Sequence, residues 1–219
     1  MKKKINYRVT PTEVEKALEE VGTKVQYNES NGFTKMNTNF YVVKGEELKF
    51  AVLDPLMYAI KGHSVQRKSK NGKTYWTVES CQKSMQPTCV YCDESKSNEA
   101  VSDARTYFYI LILDFRGTKD KEGEWDYIPA PKFYQLNAAV AGMYNDLYKL
   151  VGDEITQIEL STKKDTNSHS TIVPVMTGGI KPEYVMLKDD LLFKGTLPEF
   201  GDLYEPFSDE NAAADLKYV

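Results

Sequence analysis

The sequence has no long apolar segment, no pattern typical of a secretion signal and no internal repeats. The longest pure apolar run, Tyr107 to Leu113, is far shorter than the roughly 18 residues that a membrane-spanning helix requires. No apolar region follows the basic N-terminus, so no signal peptide is predicted and we expect a cytoplasmic protein without a membrane partner. Hydrophobic residues at 41% and charged residues at 27% argue against a disordered, collagen-like or coiled-coil chain. The length of 219 residues predicts one domain with appendages.

The motifs of several common enzyme classes are also missing. The chain contains no Walker A sequence, no GxSxG and no HExxH, which removes the corresponding NTPases, hydrolases and metalloproteases. Acids such as Asp54, Asp114 and Asp126 could bind a divalent metal ion, but they share no recognisable motif. We therefore expect a protein that is not an enzyme, with a metal-dependent nuclease as the less favoured alternative.

Cysteine is scarce, and its three copies lie within twelve residues. Cys89-x-x-Cys92 is a spacing that directs two thiolates at one point, and Cys81 can supply a third. A zinc ion needs a fourth ligand, and of the two histidines His63 lies on a predicted hairpin that returns the chain to Cys81, whereas His169 lies in a distant polar loop. These residues predict one structural Zn²⁺ bound by His63, Cys81, Cys89 and Cys92. The alternative is a set of reduced cysteines with an incidental histidine.

Alternating and β-branched segments predict a mainly β, α+β fold of short strands. The predicted strands are Glu47–Leu53, Met57–Val65, Thr74–Val78, Thr106–Phe115, Trp125–Ile128, Glu154–Leu160 and Thr171–Met176. A short helix is predicted from Thr10 to Glu20, and one long helix from Phe133 to Leu150 after Pro129 and Pro131 end the sheet. This order is typical of an OB-fold barrel with an inserted zinc-binding subdomain.

The chain divides into three predicted parts. Residues 1–22 form a basic N-terminal arm and short helix, 23–182 the OB-fold core with the zinc subdomain at about 61–100, and 183–219 an acidic C-terminal tail. The net charge of −4 is the sum of a tail at −6 and a remainder at +2. A negative total therefore does not exclude a nucleic-acid partner.

Basic and aromatic residues occur together in the predicted core. Between Lys61 and Trp76 the chain has six basic side chains, counting His63, and no acid. Single-strand binding proteins combine positive charge for phosphates with aromatic rings for stacking bases. The predicted DNA-binding residues are Arg67, Lys68, Lys70, Lys73, Tyr75, Trp76, Arg105, Tyr107, Phe108, Tyr109, Trp125 and Tyr127.

Three points remain open at this level. Strand alternation places Phe108 on one side and Tyr107 and Tyr109 on the other, without saying which side faces out. The basic hairpin tip is also consistent with an ordinary solvated turn, and Trp76 with a cap on the zinc loop. The aromatic residues could equally contact RNA or a protein partner.

Three segments resemble a known family. They are Lys70-Asn-Gly-Lys-Thr-Tyr-Trp-Thr-Val-Glu-Ser-Cys81, Cys89-x-x-Cys92 and Arg105-Thr-Tyr-Phe-Tyr-Ile-Leu-Ile-Leu113. Together they are similar to the zinc-containing single-stranded DNA-binding, or helix-destabilising, proteins of tailed bacteriophages. The similarity covers roughly residues 55–130. It implies an OB-fold core, zinc ligation by His63 and the three cysteines, and DNA contact along the strands at Tyr75/Trp76 and Arg105–Tyr109.

The resemblance also implies roles for the two ends of the chain. Lys2, Lys3 and Lys4 correspond to a basic arm for cooperative self-association on DNA. The acidic–hydrophobic end is suited to docking of replication or recombination proteins, and a solvated, weakly ordered end is the alternative. Its predicted partner-binding residues are Asp202, Tyr204, Glu205, Phe207, Asp209 and Glu210.

The implied function is sequence-independent binding and protection of single-stranded DNA during phage DNA replication, recombination or repair in the infected bacterial cytoplasm. A zinc-stabilised RNA-binding or protein-interaction module is the first alternative, and the nuclease is the second.

Overall fold

A computed structural model of the chain shows an α+β fold. It describes residues 6–21, 39–40, 42, 45–68, 72–118, 124–164, 170–174, 179–194, 197, 200–204 and 206–216. The strands are β1 (Arg8–Val9), β2 (Asn39–Phe40), β3 (Glu47–Val52), β4 (Met57–Lys68), β5 (Thr74–Ser80), β6 (Arg105–Asp114), β7 (Ala130–Leu136), β8 (Glu159–Lys164) and β9 (Ser170–Pro174). The helices are α1 (Pro11–Val21), α2 (Val90–Glu94), α3 (Ala138–Val151), α4 (Pro182–Lys194), α5 (Phe200–Tyr204) and α6 (Asp209–Leu216), with 3-10 helices at Gln82–Ser84 and Gly152–Gln157.

The strands belong to one open sheet in which eight strands pair antiparallel and β2 pairs parallel with β7. β6 is central, because one of its edges pairs with both β4 and β3 and the other pairs with β7. β4 is longer than its pairing with β6 requires, and its second half forms a hairpin with β5. The mainly β, α+β class is confirmed. Within the described ranges the strand pairing does not close into a ring, and the OB-fold barrel stays a prediction.

The sheet is covered on both faces. Phe108, Ile110 and Ile112 of β6 pack into a core cluster with Val14 of α1 and Val140 of α3. The intervening Tyr107, Tyr109 and Leu111 pack on the opposite face in a second cluster, which includes Phe200 and Tyr204 of α5. The orientation that alternation left open is thereby decided: Phe108 lies in the α1/α3 core, and Tyr107 and Tyr109 face the C-terminal helices.

Local signals explain where two helices begin. At the start of α1, the Thr10 amide donates to Glu13 Oε2 at 2.7 Å and the Glu13 amide donates to Thr10 Oγ1 at 3.4 Å, which is a capping box. At α3, the Asn137 side chain accepts from the Val140 amide at 2.9 Å. The predicted helix over 10–20 is confirmed, and the second helix begins at Ala138 rather than at Phe133.

The prolines do not end the sheet where they were predicted to. Pro131 is the second residue of β7, which continues to Leu136 and pairs with β6, while Trp125–Ile128 is not a continuous strand. Proline is tolerated near the start of a strand, and β2 pairs with β7 only at Phe133 and Tyr134, beyond Pro131. The single long helix is not confirmed either, because α3 has 14 residues and α4 has 13. No described helix is long and apolar enough to cross a membrane.

Candidate metal centre and hairpin surface

One histidine and three cysteines converge at the base of the β4–β5 hairpin. Their ligand atoms, His63 Nε2 and the Sγ atoms of Cys81, Cys89 and Cys92, all lie within 4.8 Å of one another. His63 comes from β4, Cys81 directly follows β5, Cys89 caps α2 and Cys92 lies within α2. The grouping predicted from spacing is therefore present, and it can hold one metal ion.

Three distances within this group are close to those of tetrahedral coordination. Cys81 Sγ lies 3.7 Å from Cys92 Sγ. His63 Nε2 lies 3.6 Å from Cys89 Sγ and 3.5 Å from Cys92 Sγ. A tetrahedral ion with metal–sulfur bonds of about 2.3 Å and a metal–nitrogen bond of about 2.0 Å places sulfurs about 3.8 Å apart, and sulfur and nitrogen about 3.5 Å apart. These three distances therefore fit a bound ion, and all four ligand atoms lie within 4.8 Å of one another.

The backbone holds these side chains in place. His63 Nδ1 bonds the Ser102 carbonyl at 2.8 Å, and since a carbonyl can only accept, this nitrogen carries the ring proton. Nε2 is then left with a lone pair for a metal ion, which is the usual outer hydrogen bond of a ligating histidine. The Cys81 amide donates to the Lys61 carbonyl at 2.8 Å. The hydrogen bonds between the hairpin strands therefore also fix the position of the Cys81 backbone, from which its thiol extends.

Burial makes the cluster unfavourable for three negative charges on their own. His63, Cys81 and Cys89 are buried, and Cys92 is half-buried. Burial raises the pKa of the Cys81 thiol and raises that of Cys92 to about 12, and it lowers the pKa of His63. At Cys89 burial by itself would raise the pKa of the thiol, but hydrogen bonds from the backbone amides of Cys92 and Gln82 lower this pKa overall. A bound cation would balance the thiolate charges.

The register of the hairpin sorts the predicted DNA-binding residues onto two faces. Cross-strand pairs share a face, and the pairs are Gln66 with Trp76, Lys68 with Thr74, and Arg67 with Tyr75. One side, called the basic–aromatic face below, consists of Ser64, Gln66, Lys68, Trp76, Arg105 and Tyr107. The other side, called the metal face, consists of His63, Arg67, Tyr75, Thr77 and Glu79.

On the basic–aromatic face a hydrogen-bonded trio orients Arg105. Arg105 Nε donates to the Tyr107 hydroxyl at 2.7 Å, and its Nη2 donates to Ser64 Oγ at 2.9 Å. The Ser64 and Tyr107 hydroxyl oxygens are 2.7 Å apart. The guanidinium also lies 5.2 Å from the centre of the Tyr107 ring. Arg105 and Trp76 are half-buried, and Lys68 is exposed.

Arg67 has a different environment from the one expected. Its guanidinium is only 7% exposed and donates to Glu79 at 3.2 Å and to Asp215 of α6 at 2.5 Å. Tyr91 donates to the same Asp215 carboxylate at 2.6 Å. Sequence reasoning missed Tyr91 and Asp215, because nothing in their local sequence shows that residues 124 positions apart meet.

Four predicted aromatic residues do not belong to the exposed part of the basic–aromatic face. Phe108 is in the α1/α3 core, and Tyr109 is 1% exposed beneath Phe200 and Tyr204. Arg105 is the first residue of β6, whereas Trp125 and Tyr127 lie in the segment between the last residue of β6 and β7. Tyr127 is 71% exposed and has a positive φ of 54°, which is rare for a bulky residue.

Two cations beneath Trp125 were not predicted. The Arg116 guanidinium lies 4.3 Å from the Trp125 ring centre, and Lys132 Nζ lies 4.8 Å from it. Both cations also contact the fully buried carboxylate of Asp114, at 3.1 Å and 2.8 Å. The alternating pattern of β7 was the available signal, because it places Lys132 opposite Ile112 on the core face.

The remaining predicted residues are partly outside the described ranges. Lys2, Lys3, Lys4, Lys70 and Glu205 lie outside them, as does His169. Lys73 is exposed, Asp202 lies in α5, and Glu210 is exposed in α6. Tyr204 is buried, and Asp209 accepts hydrogen bonds from Gln82 and Gln86. The segment predicted as an acidic tail is thus helical and packed where the structure describes it.

The three acids considered for a nuclease do not meet. Asp54 bonds the Tyr58 hydroxyl and pairs with Arg8, and Asp114 pairs with its two cations. Asp126 bonds Thr118 at the other end of its loop. Among the residues that the structure describes, the His/Cys group alone has three or more such ligands close enough for a metal ion.

Comparison with known proteins adds no relative to these observations. No protein-family model matches the chain, and no curated protein matches it. The metal centre and the two hairpin faces are the features from which a function can be argued.

Proposed function

We propose that the chain binds single-stranded DNA with little sequence preference, and that one structural zinc ion anchors the hairpin that binds it. The observation that carries the proposal is that Lys68 and Trp76 of the β4–β5 hairpin share one face of the sheet with Arg105 of the adjoining β6, and that the His/Cys cluster lies at the base of this hairpin. Phosphate-binding cations and a stacking ring on one surface are the two components of single-strand recognition.

Zinc is the metal that suits this donor set. Three thiolates and one imidazole at tetrahedral distances are typical of structural zinc sites. Four protein ligands leave no coordination position for a substrate, so the ion acts on folding rather than on chemistry. Its role here is to join the base of the hairpin to the segment from Cys81 to Cys92.

The charge of the basic–aromatic face favours an anionic polymer. The residues that β4, β5 and β6 place on this face include no carboxylate, whereas Glu79 lies on the metal face. Lys68 and Arg105 therefore have no acid beside them within these strands. A base stacked on Trp76 would contribute about 1–3 kcal/mol.

Arg105 is prepared for a phosphate. The Tyr107 hydroxyl and Ser64 hold its guanidinium in one orientation, so less conformational entropy is lost when it binds. A planar guanidinium also binds phosphate oxygens through two parallel N–H groups, which an ammonium cannot do. The same face would serve any base sequence, since stacking and phosphate contacts do not depend on base identity.

The cellular role that this implies is the one suggested by the family resemblance. The protein would coat single strands exposed during phage replication, recombination or repair and protect them. Self-association through Lys2, Lys3 and Lys4, and docking of partner proteins on the C-terminal segment, belong to the same proposal.

The test is a fluorescence titration with one tryptophan. The chain has two tryptophans, so Trp125→Phe leaves Trp76 as the only reporter, on the proposed face. Oligo-dT should quench its emission, and affinity should fall as salt rises because counterions are released from the strand. A Trp76→Phe variant should show no such quenching from Trp125 and should bind more weakly in competition.

Parallel titrations separate the alternatives. Stronger binding to single-stranded DNA than to duplex DNA, without cleavage when Mg²⁺ is added, supports the proposal. Preference for RNA would favour the RNA-binding module, and cleavage would favour the nuclease. If the protein bound no nucleic acid of any kind, the proposal that it binds single-stranded DNA would be refuted.

A further inference from the structure

The last helix, α6, packs against the segment that carries the metal ligands. Ala212, at its centre, is 0% exposed and belongs to one apolar cluster with Cys81, Cys89 and Tyr91. Phe207 and Leu216, near either end of the helix, contact the same cluster. Three of the four metal ligands, counting Cys92, thus lie in or against the surface that α6 covers.

Polar contacts attach α6 at its first turn. The Gln82 side chain, buried between the metal ligands, donates to Asp209 Oδ1 and to the Phe207 carbonyl, each at 2.9 Å. Its own Oε1 accepts from the Val90 amide at 2.8 Å, beside Cys89. Gln86 adds a second donor to Asp209 at 2.7 Å. Gln82 therefore joins α6 to both sides of the ligand-bearing loop.

A second set of contacts attaches the last turn. Asp215 receives the Tyr91 hydroxyl, and Tyr91 lies between Cys89 and Cys92 in sequence. Arg67 donates to both the side chain and the carbonyl of Asp215, and a cation is favourable at a helix C-terminus. Both ends of α6 are therefore held by residues that lie next to metal ligands or on the strand that carries His63.

We propose that α6 is a latch of the metal centre: it docks on the loop that the metal ion orders, and its docking retains the ion. The physical basis is linkage. If a metal ion fixes the conformation of 81–92 and α6 binds only that conformation, then each event must favour the other by the same free energy. The proposal depends on the metal site above, and it is independent of nucleic-acid binding.

Two alanines of α6 provide a matched pair of variants. Ala212 is fully buried against the ligand loop, whereas Ala214 is exposed on the same helix. Ala212→Glu should detach α6 because it buries an unpaired carboxylate in the apolar cluster. Ala214→Glu makes the same change of charge and of helix propensity at an exposed position, so it should not detach α6.

The measurement is the rate at which the full-length zinc-loaded protein transfers its ion to a chromogenic chelator. We expect Ala212→Glu to release zinc faster than the wild type, because it loses a coupling that is typically worth roughly 5- to 150-fold in affinity. Ala214→Glu should match the wild type. Asp215→Asn, which weakens the contacts to Arg67 and Tyr91 without changing shape, should give a smaller increase.

Hydrogen exchange gives the reciprocal readout. Removal of zinc should accelerate amide exchange in 209–216, while α3, which packs in a different apolar cluster, stays protected. The proposal is overturned if exchange in α6 is unchanged on zinc removal, or if Asp215→Asn and Ala212→Glu expose α6 but release zinc at the wild-type rate. A protein that takes up no zinc at all would instead contradict the metal site itself.

Discussion

His63 and Ser102 are joined by a hydrogen bond of 2.8 Å between the imidazole Nδ1 and a backbone carbonyl. This contact connects β4 to the segment that leads into β6, and it turns Nε2 towards Cys89 and Cys92. The metal centre is therefore tied to the sheet through the histidine ring and to the Cys81–Cys92 loop through the thiols. The ion would join these two parts of the chain, which also share an apolar cluster that contains Val65, Tyr91 and Val101.

Replacement of His63 tests the metal centre. His63→Ala should reduce zinc content from one ion per chain and lower the melting temperature, because a structural zinc site contributes directly to folding free energy. Lys61→Ala, an exposed site on the same strand, should retain both. Full zinc content in His63→Ala, measured by metal analysis after dialysis, would contradict the assigned ligand set.

Arg67 and Arg105 are predicted to differ in what they contribute. Arg67→Ala leaves the buried Glu79 without its nearest cation and should cost about 3 kcal/mol of unfolding free energy, measured in urea. Arg105→Ala should leave stability nearly unchanged but weaken binding to oligo-dT and reduce its salt slope by about 0.7. Lys163→Ala, exposed on β8, is the control for loss of one positive charge. Equal effects of both arginine variants on stability would contradict the division into two faces.

Two glycines with left-handed backbones should respond differently to substitution. Gly72 has φ +78°, and no described atom lies within 4 Å of the place where an alanine Cβ would stand, so Gly72→Ala should cost only about 1 kcal/mol of backbone strain. Gly117 has φ +76°, and a Cβ there would collide with the Asp126 carboxylate and the Ile128 carbonyl. Gly117→Ala should cost about 2 kcal/mol more, because the turn that presents Tyr127 must shift. Urea unfolding of the two variants measures the difference, and equal costs would refute this account of the turn.

Lys188 gives a predicted pH dependence. Its ammonium is buried on α4, where it donates to the Thr156 carbonyl at 2.7 Å, and burial lowers its pKa from the ordinary 10.5. Between the lowered value and 10.5 the unfolded chain binds more protons, so the contribution of this group to stability rises with pH. The stability of the wild type relative to Lys188→Met should therefore increase as the pH rises from the lowered pKa of Lys188 towards 10.5. The control is Lys163→Met, at an exposed position, whose unfolding free energy should change with pH as that of the wild type does. If the unfolding free energy of Lys188→Met also changed with pH as that of the wild type does, the prediction would be wrong.

Local sequence patterns were sufficient for much of the sheet and for the metal ligands. β3, β4, β5 and β6 lie within a few residues of their predicted bounds, because alternation and β-branched residues act over short distances. The ligand set also followed from local facts. A hairpin necessarily returns its second strand to the start of the first, which brings Cys81 near His63.

Local patterns failed where two periodicities competed. Phe133 and Leu136 fit the helical spacing of α3, yet they lie in β7, since the cap at Asn137 starts the helix later. Met143 and Leu150, counted as part of an apolar helix face, are exposed. The Asn137 cap was visible in the sequence, and it would have corrected the boundary.

The sequence alone determined the types of most strands, the residues of the candidate metal centre and the uneven charge, because each depends on neighbours along the chain or on one hairpin. Only the tertiary structure decided which helices cover each side of Tyr107–Tyr109, that Arg67 is buried against Asp215, and that the described part of the acidic end is packed as helices. Those outcomes depend on contacts between residues that are far apart in the chain, such as Gln82 with Asp209. Such contacts follow from how whole surfaces fit together, and no local pattern contains that information.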